Sequence, residues 1–330
     1  MTGDSTTHKT RNASAQRWSM RRTVLLVVAI CLPIGIATGL ATYLFGYREQ
    51  GPGPTTARTT PAARMTSPPA PANTDFDISR VMATVDYLAG NIGPREEGTD
   101  GELRAAEYIH KCLNECGYRP VRQPVKIETT GRVGSNVTAR LPGTGRPDRV
   151  IVLGAHMDSL NGPGANDNAT GCAALLELAR VLKGNQRHVP SIDFVFFCGE
   201  EVAAGGTRDD DHWGSRTFVN SLNAVEKQAI AGMVCIDMIG SGSEFRARNM
   251  GLASPALRDM MLDFGAGRGL IFKADRSPYG NSDHEPFEKS GIPSVWLEYG
   301  ECPVYHQPSD TIQAVDAAHV QNVGCMLQGF

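Results

Sequence analysis

The stretch DFVFFCGEEVAAGG, residues 193–206, joins a run of apolar residues directly to two adjacent glutamates, Glu200 and Glu201. A short apolar run that ends at a glycine is typical of a buried β-strand. Two like charges at the end of such a strand are costly unless an opposite charge compensates them. We therefore interpret this stretch as a buried strand that delivers two carboxylates to a functional site.

Further strand-like runs lie on both sides of this one. They are predicted at 121–127, 136–141, 150–155, 192–197, 233–236 and 294–298. Helical patterns separate the later runs, and two amphipathic helices precede the first, the second opening with Thr99 and Glu102 at the spacing of a capping box. Strands that alternate with helices indicate an α/β domain. We expect a mixed, largely parallel central sheet covered by helices on both faces.

The N-terminal part of the chain predicts a membrane anchor. Residues 23–45 carry no charge, and a helix of this length crosses a bilayer core of about 30 Å. Basic residues are more frequent in 1–22 than just after the apolar segment. This places 1–22 in the cytoplasm and the bulk of the chain outside a cell membrane that it spans once. A cleaved signal peptide is the alternative, although its apolar region is usually only about 7–15 residues long.

The rest of the chain divides into a spacer and a globular domain. Residues 46–75 are rich in proline, threonine, alanine and glycine, a composition that cannot bury a core. Residues 76–330 contain all the predicted strands and form the predicted globular domain. The formal net charge of −3 provides no basic surface for nucleic acid, so we expect no nucleic-acid partner.

Histidines and carboxylates collect where the predicted strands end. In a sheet of parallel strands the carboxyl ends meet at one edge, and ligands bind there. Imidazole nitrogens and carboxylate oxygens are ligands for a divalent ion such as zinc. The candidates are His156, Asp158, Asp167, Glu200, Glu201, Asp237 and His306.

Charge balance favours two metal ions. If Asp167, Glu201 and Asp237 are all ligands, three carboxylates and one hydroxide match the charge of two divalent cations. A single ion would leave uncompensated negative charge in a buried pocket. Adjacent residues at a strand end point to different sides. One of the two glutamates can therefore bind metal while the other faces the attacking water as a general base.

Seven motifs together resemble the M28 family of metallopeptidases, the co-catalytic di-zinc aminopeptidases. Each motif alone is a weak signal, but the combination extends over residues 93–311 and is specific. The resemblance implies a zinc-peptidase-like α/β fold, two Zn²⁺ per chain and peptides as substrates. The motifs are GPREEGT (93–99), GAHMDS (154–159), GANDNATG (164–171), FFCGEE (196–201), CIDMIG (235–240), NSDHEPF (281–287) and YHQPSDT (305–311).

The resemblance also implies which residues bind the metal. One zinc ion would be held by His156 and Asp237, and the other by Glu201 and His306. Asp167 would bridge the two ions.

Three further roles follow from the resemblance. Glu200 would be the general base, and Asp158 would orient the imidazole of His156. Tyr305 would help to stabilise the oxyanion of the tetrahedral intermediate.

The segment 202–213 departs from the family pattern because it is longer than expected between the paired glutamates and the next helix. It contains three consecutive aspartates, 209–211, followed by His212. We interpret this acidic run as solvated surface. Ser282 and Asp283 are interpreted as structural neighbours of the metal site, and Asp310 as a cap of the last helix.

The leading hypothesis is a membrane-anchored di-zinc aminopeptidase, and three alternatives stay open. Amidohydrolases and carboxypeptidases of the M20 family use a similar order of ligands but insert a lid domain, and the separation of 69 positions from Asp237 to His306 is too short for one. Glutaminyl cyclases share the fold, although the residue at Tyr305 disfavours them. A non-catalytic ectodomain with an M28-like fold is the third alternative, and such domains typically lose metal ligands.

Overall fold

The computed structural model of the chain describes residues 75–185, 188–202, 206–207 and 210–330. The predicted tail 1–22, the predicted transmembrane helix 23–45 and nearly all of the predicted spacer 46–75 lie outside these residues. Among the helices that the structure describes, none is both long and apolar enough to cross a bilayer. The anchor and the domain boundaries therefore remain predictions.

A single mixed sheet of eight strands, β1 to β8, organises the described part of the chain. Its spatial order is β1-β2-β4-β3-β5-β8-β6-β7. The four central strands β4, β3, β5 and β8 are parallel to one another, and antiparallel pairs join them to β2 on one side and β6 on the other. The predicted mixed sheet with a parallel centre is confirmed. The strands are Val121–Lys126, Val133–Leu141, Arg146–His156, Pro190–Phe197, Ile230–Ile236, Glu244–Asn249, Lys273–Arg276 and Ser294–Gly300.

Eight α-helices, α1 to α8, accompany the sheet in the described ranges. A π-helical turn, Asp86–Ile92, continues α1, another, Ala165–Ala169, leads into α3, and a 3-10 turn, Ile312–Ala314, precedes α8. The α-helices are Ile78–Val85, Asp100–Glu115, Thr170–Gly184, Trp213–Ser221, Ala224–Ala229, Ala256–Ala266, His284–Lys289 and Ala317–Gly329.

Two hydrophobic cores lie on opposite faces of the sheet, and strand β4 contributes to both. Phe194 and Phe196 belong to the core that also contains apolar side chains of α1, α2, α3 and α8. Val195 and Phe197 belong to the core that contains side chains of α4 and α7. Successive side chains of a strand point to opposite faces, so an unbroken apolar run requires cover on both sides. The prediction of helices on both faces is confirmed.

The predicted capping box at Thr99 is wrong. Thr99 makes no side-chain capping bond to α2, and its hydroxyl donates to the carbonyl of Glu96. The buried carboxylate of Glu102 instead accepts hydrogen bonds from the backbone of Gly98 (2.7 Å) and of Gly199 (2.8 Å). Because Gly199 immediately precedes the two glutamates after β4, Glu102 fixes the end of that strand.

Arg95 ties the N-terminal part of the domain to the edge of the sheet where the predicted site residues lie. Its side chain is fully buried and donates to five backbone carbonyls, which come from the end of the α1 region and from the loop after β3. A planar guanidinium has enough donors to satisfy this many acceptors at once. The accepting residues are Leu88, Gly93, Met157, Pro163 and Gly164.

Replacement of Arg95 by methionine is expected to destabilise the fold by about 3 kcal/mol or more, because it leaves buried carbonyls without donors. Urea denaturation of the full chain measures this loss. The matched control is Arg119→Met, since Arg119 is exposed, and its effect should stay within about 0.5 kcal/mol. Equal losses in both variants would contradict the role given to Arg95.

Candidate active site

The predicted site residues meet at the carboxyl edge of the four central strands. His156 ends β3, and Asp237 directly follows β5. Glu200 and Glu201 follow β4, and Asp167 lies in the turn before α3. His306 lies in the loop after β8. The structure thus brings together residues that are up to 150 positions apart in the chain.

The carboxylate of Asp167 lies between the two histidines. Its Oδ1 is 3.2 Å from Nε2 of His156, and its Oδ2 is 3.3 Å from Nε2 of His306. Asp237 Oδ1 is 3.3 Å from the same nitrogen of His156. Glu201 Oε2 is 2.9 Å from the same nitrogen of His306. Two clusters of metal-ligand type, each with one histidine and two carboxylates, therefore share Asp167, with the ligand atoms of each cluster within 4.8 Å of one another.

The buried charges of these clusters fit divalent cations. Burial, together with the charge of Asp167, raises the pKa of Glu201 well above its usual range. Burial alone lowers the pKa of His156, but the carboxylates of Glu200 and Asp237 outweigh this effect and raise it. Oε1 of Glu201 is buried without a hydrogen-bond partner. Buried carboxylates packed this closely are costly unless cations lie between them, so the residues present fit a metal centre.

The backbone around Asp167 is held by Asp310, which sequence analysis assigned to the last helix. Asp310 accepts hydrogen bonds from the backbone nitrogens of Asn166 (2.8 Å) and Asp167 (3.0 Å). The helix α8 is capped by Asp316, whose side chain accepts from Ala318. The capping interpretation of Asp310 is therefore wrong. Its carboxylate satisfies two buried N–H groups that the turn before α3 leaves open.

Asp237 is held by neighbours from two other segments. Ser282 donates from Oγ to Asp237 Oδ2 at 2.7 Å, which confirms the interpretation of Ser282 as a neighbour of the site. Asn168 donates from its side chain to the carbonyl of Ile236 at 2.9 Å. These bonds connect the end of β5 to the turn that carries Asp167. The adjacent Asp283 is completely buried, and burial followed by the charge of Glu200 raises its pKa to about 8.

Asp158 contacts both His156 and the glutamate pair. Its Oδ2 accepts from the backbone nitrogens of Glu200 (3.0 Å) and Glu201 (2.9 Å). Its Oδ1 lies 3.5 Å from Nδ1 of His156, and neither of these two atoms has a well-aligned hydrogen bond. Asp158 therefore fixes the position of the two glutamates more directly than the orientation of the imidazole.

Tyr305 lies at the entrance of the site. Its ring stacks on that of His306 with 3.7 Å between centroids, and 48% of the residue is exposed. It lines a cleft of about 520 Å³ that also contains Glu200, Glu201 and His306. A neighbouring cavity of about 230 Å³ shares Tyr305 with this cleft. Partial burial of the phenol, with the charge of Asp167, raises its pKa, and the phenol stays protonated at neutral pH.

Asp211 and His212 are buried rather than solvated, so the interpretation of this acidic run as surface is wrong for them. His212 is 1% exposed, and its Nε2 is 3.1 Å from Glu200 Oε1. Asp209 lies outside the described residues. Three consecutive acidic residues do not by themselves indicate burial. The location of the segment does, because it connects the strand end at Glu200 to the start of α4 at Trp213 and therefore passes beside the candidate site.

The sequence profile of Peptidase family M28 matches residues 136–329, more than half of the chain. The chain belongs to this family, as its motifs predicted. Leupeptin-inactivating enzyme 1 of Streptomyces exfoliatus is 32% identical to it over 234 residues, which are 68% of this chain and 50% of that protein. The chain spans about half the length of the curated relatives it matches first.

Solved structures show the same fold. A zinc aminopeptidase from Bacillus subtilis superposes with a TM-score of 0.66 at 17% identity, over 78% of this chain and 95% of that one. Glutaminyl cyclase of Porphyromonas gingivalis superposes with a TM-score of 0.67 at 24% identity, over 77% of this chain and 97% of that one. The likeness concerns the fold and is compatible with both activities.

Replacement of Asp310 by alanine is expected to weaken zinc binding roughly 10- to 100-fold, because it releases the turn that carries Asp167. Zinc affinity is measured by competition with a chromophoric chelator. Asp310→Asn keeps one acceptor oxygen and should have a smaller effect. Asp316→Ala, which removes the cap of α8, is the control and should leave zinc affinity unchanged. An unchanged affinity in Asp310→Ala would disprove the link between Asp310 and the metal centre.

Proposed function

We propose that this chain is a membrane-anchored di-zinc aminopeptidase that removes N-terminal residues from peptides outside the cytoplasm. The observation that carries the proposal is the geometry of Asp167, whose two carboxylate oxygens each face a different histidine–carboxylate cluster. One carboxylate shared in this way suits a site for two ions about 3.5–4 Å apart. The membrane part of the proposal depends on residues 23–45 and on the excess of basic residues before them.

The proposed ligands divide between the two clusters. His156 and Asp237 would hold one zinc ion, Glu201 and His306 the other, and Asp167 would contact both. When bound, zinc polarises a carbonyl oxygen and lowers the pKa of water.

The position of Glu200 supports its proposed role as the general base. It is buried, and its Oε2 lies 3.9 Å from Nε2 of His156, so this oxygen faces the metal cluster. A carboxylate there can take a proton from the attacking water and pass it to the leaving amine. Tyr305 at the cleft entrance keeps its proton at neutral pH and can donate a hydrogen bond to the oxyanion.

The M20 alternative is disfavoured by the segment between Asp237 and His306. In the described residues this segment forms β6, α6, β7, α7 and β8, and its strands belong to the central sheet. It therefore contains no separate lid domain of the kind that M20 enzymes insert. A purely structural ectodomain is disfavoured because all five proposed metal positions carry a ligand side chain.

Glu200→Gln is expected to retain zinc while kcat falls at least about 100-fold, because the amide cannot accept the proton. Metal analysis and steady-state kinetics on an aminoacyl amide measure the two quantities. Glu107→Gln, at an exposed position on α2, is the matched control and should have parental activity. A fully active Glu200→Gln variant would refute the assignment of the base.

The purified full chain is expected to contain close to two zinc ions and to hydrolyse aminoacyl amides that have a free amino group. Their N-acetylated counterparts should not react, since an aminopeptidase requires the free amine. Cyclisation of an N-terminal glutamine without hydrolysis would favour the glutaminyl cyclase alternative. Zinc-free protein without turnover would favour the non-catalytic one.

A further inference from the structure

The backbone at 212–214 is bound tightly to the strand end that carries the two glutamates. The backbone nitrogens of His212, Trp213 and Gly214 donate in succession to the carbonyls of Glu200 (3.0 Å), Gly199 (2.7 Å) and Cys198 (2.9 Å). A Cβ at Gly214 would lie only 2.4 Å from the Cys198 carbonyl oxygen, so this close approach requires glycine. His212 is therefore placed beside Glu200 by a rigid piece of backbone.

His212 adopts a backbone conformation that is unfavourable for most residues. Its φ of 54° lies in the left-handed region, which few non-glycine residues enter, although Asn, Asp and His do so more often than the others. Such strain persists only where the surrounding structure imposes it, and it is concentrated at functional sites. The conformation directs the imidazole inward, where it is 1% exposed.

The imidazole of His212 lies between two carboxylates. Nε2 contacts Glu200 Oε1 at 3.1 Å, and Nδ1 lies 3.1 Å from Asp211 Oδ1. Asp211 in turn accepts from Arg216. Glu285 Oε2 is 3.9 Å from Nδ1. Burial alone lowers the pKa of His212, but Asp211 and Glu200 more than offset this effect and raise it to about 10. A carboxylate oxygen can only accept a hydrogen bond, so in the contact with ionised Glu200 the proton lies on Nε2 of His212, which donates to Oε1.

The contact with His212 occupies one oxygen of Glu200 and leaves the other facing the metal cluster. Oε1 accepts from His212, while Oε2 lies 3.9 Å from Nε2 of His156. The last torsion of a glutamate side chain is broad when nothing restrains it. A donor fixed on Oε1 removes this freedom and holds Oε2 in one direction.

We propose that His212 is a positioning residue for the general base. His212 donates from Nε2 to Glu200 Oε1 and so keeps Oε2 of Glu200 directed at the attacking water. The inference rests on the proposed function of Glu200. His212 lines the same cleft as Glu200, but in the described residues its ring forms no ion pair with a proposed metal ligand, and by this account it acts through Glu200.

Two amide substitutions, His212→Asn and His212→Gln, distinguish the loss of the contact with Glu200 from an effect of backbone strain. Asn tolerates the left-handed conformation but is too short to reach Glu200, whereas the amide nitrogen of Gln stands close to the position of Nε2. His212→Asn should lower kcat roughly 10- to 100-fold, with KM and zinc content nearly unchanged. His212→Gln should recover most of this loss. His110→Asn, on α2, is the matched control and should have parental kinetics.

A double-mutant cycle with Glu200→Gln tests whether His212 acts through the base. In that background His212→Asn should change the residual kcat by less than about threefold, because the interaction that it removes no longer serves a base. A full loss that persists there, or a loss of zinc, would show a structural role and overturn the inference. Equal kcat in His212→Asn and the parent would overturn it too, with the proposed function intact. Absence of turnover in the parent chain would instead refute the proposed function itself.

Discussion

The carboxylate of Asp167, held between two imidazoles, is the constraint to which the rest of the site conforms. An aspartate can face two partners in this way only if its backbone is fixed. Asp310 provides that restraint by accepting from two consecutive N–H groups of the turn. Asn168 and Ser282 then attach the end of β5, so that Asp237 stays in register with the same centre. The strands supply the ligands, and these side-chain bonds between loops set the distances among them.

The position of the candidate site could be predicted from the sequence because its histidines and carboxylates follow strands that meet at one edge of the sheet. His156, Glu201 and Asp237 each follow an apolar run whose length and composition indicate a buried strand. Asp167 comes from the motif GANDNATG before α3, and His306 comes from the motif YHQPSDT after β8. The sheet was predictable for the same reason, since strands that are covered on both faces are apolar throughout. The strands β6 and β7 escaped prediction because EFRARN and KADR are charged sequences with no apolar run, as is common near a sheet edge.

Local rules failed where a polar side chain serves a distant partner. Glu102 has the spacing of a capping residue, yet its carboxylate bonds to Gly199, 97 positions away. Asp310 precedes the last helix, yet it bonds to Asn166 and Asp167. His212 follows an acidic run that is typical of surface, yet it is buried against Glu200. In each case the side chain forms a hydrogen bond with a buried group that is distant in sequence. A short stretch of sequence around the residue does not contain that partner, so local rules cannot anticipate the bond.

The position of Arg95 bears on where the structural unit begins. The family profile starts at residue 136, but Arg95 and Glu102 lie upstream of it and bind the loop after β3 and the end of β4. Arg95, together with Glu102 of α2, thus supports the candidate metal site from within the same structural unit. A fragment cut at residue 136 would keep every proposed metal ligand yet lose Arg95 and Glu102, so the structural unit extends further toward the N-terminus than the family profile.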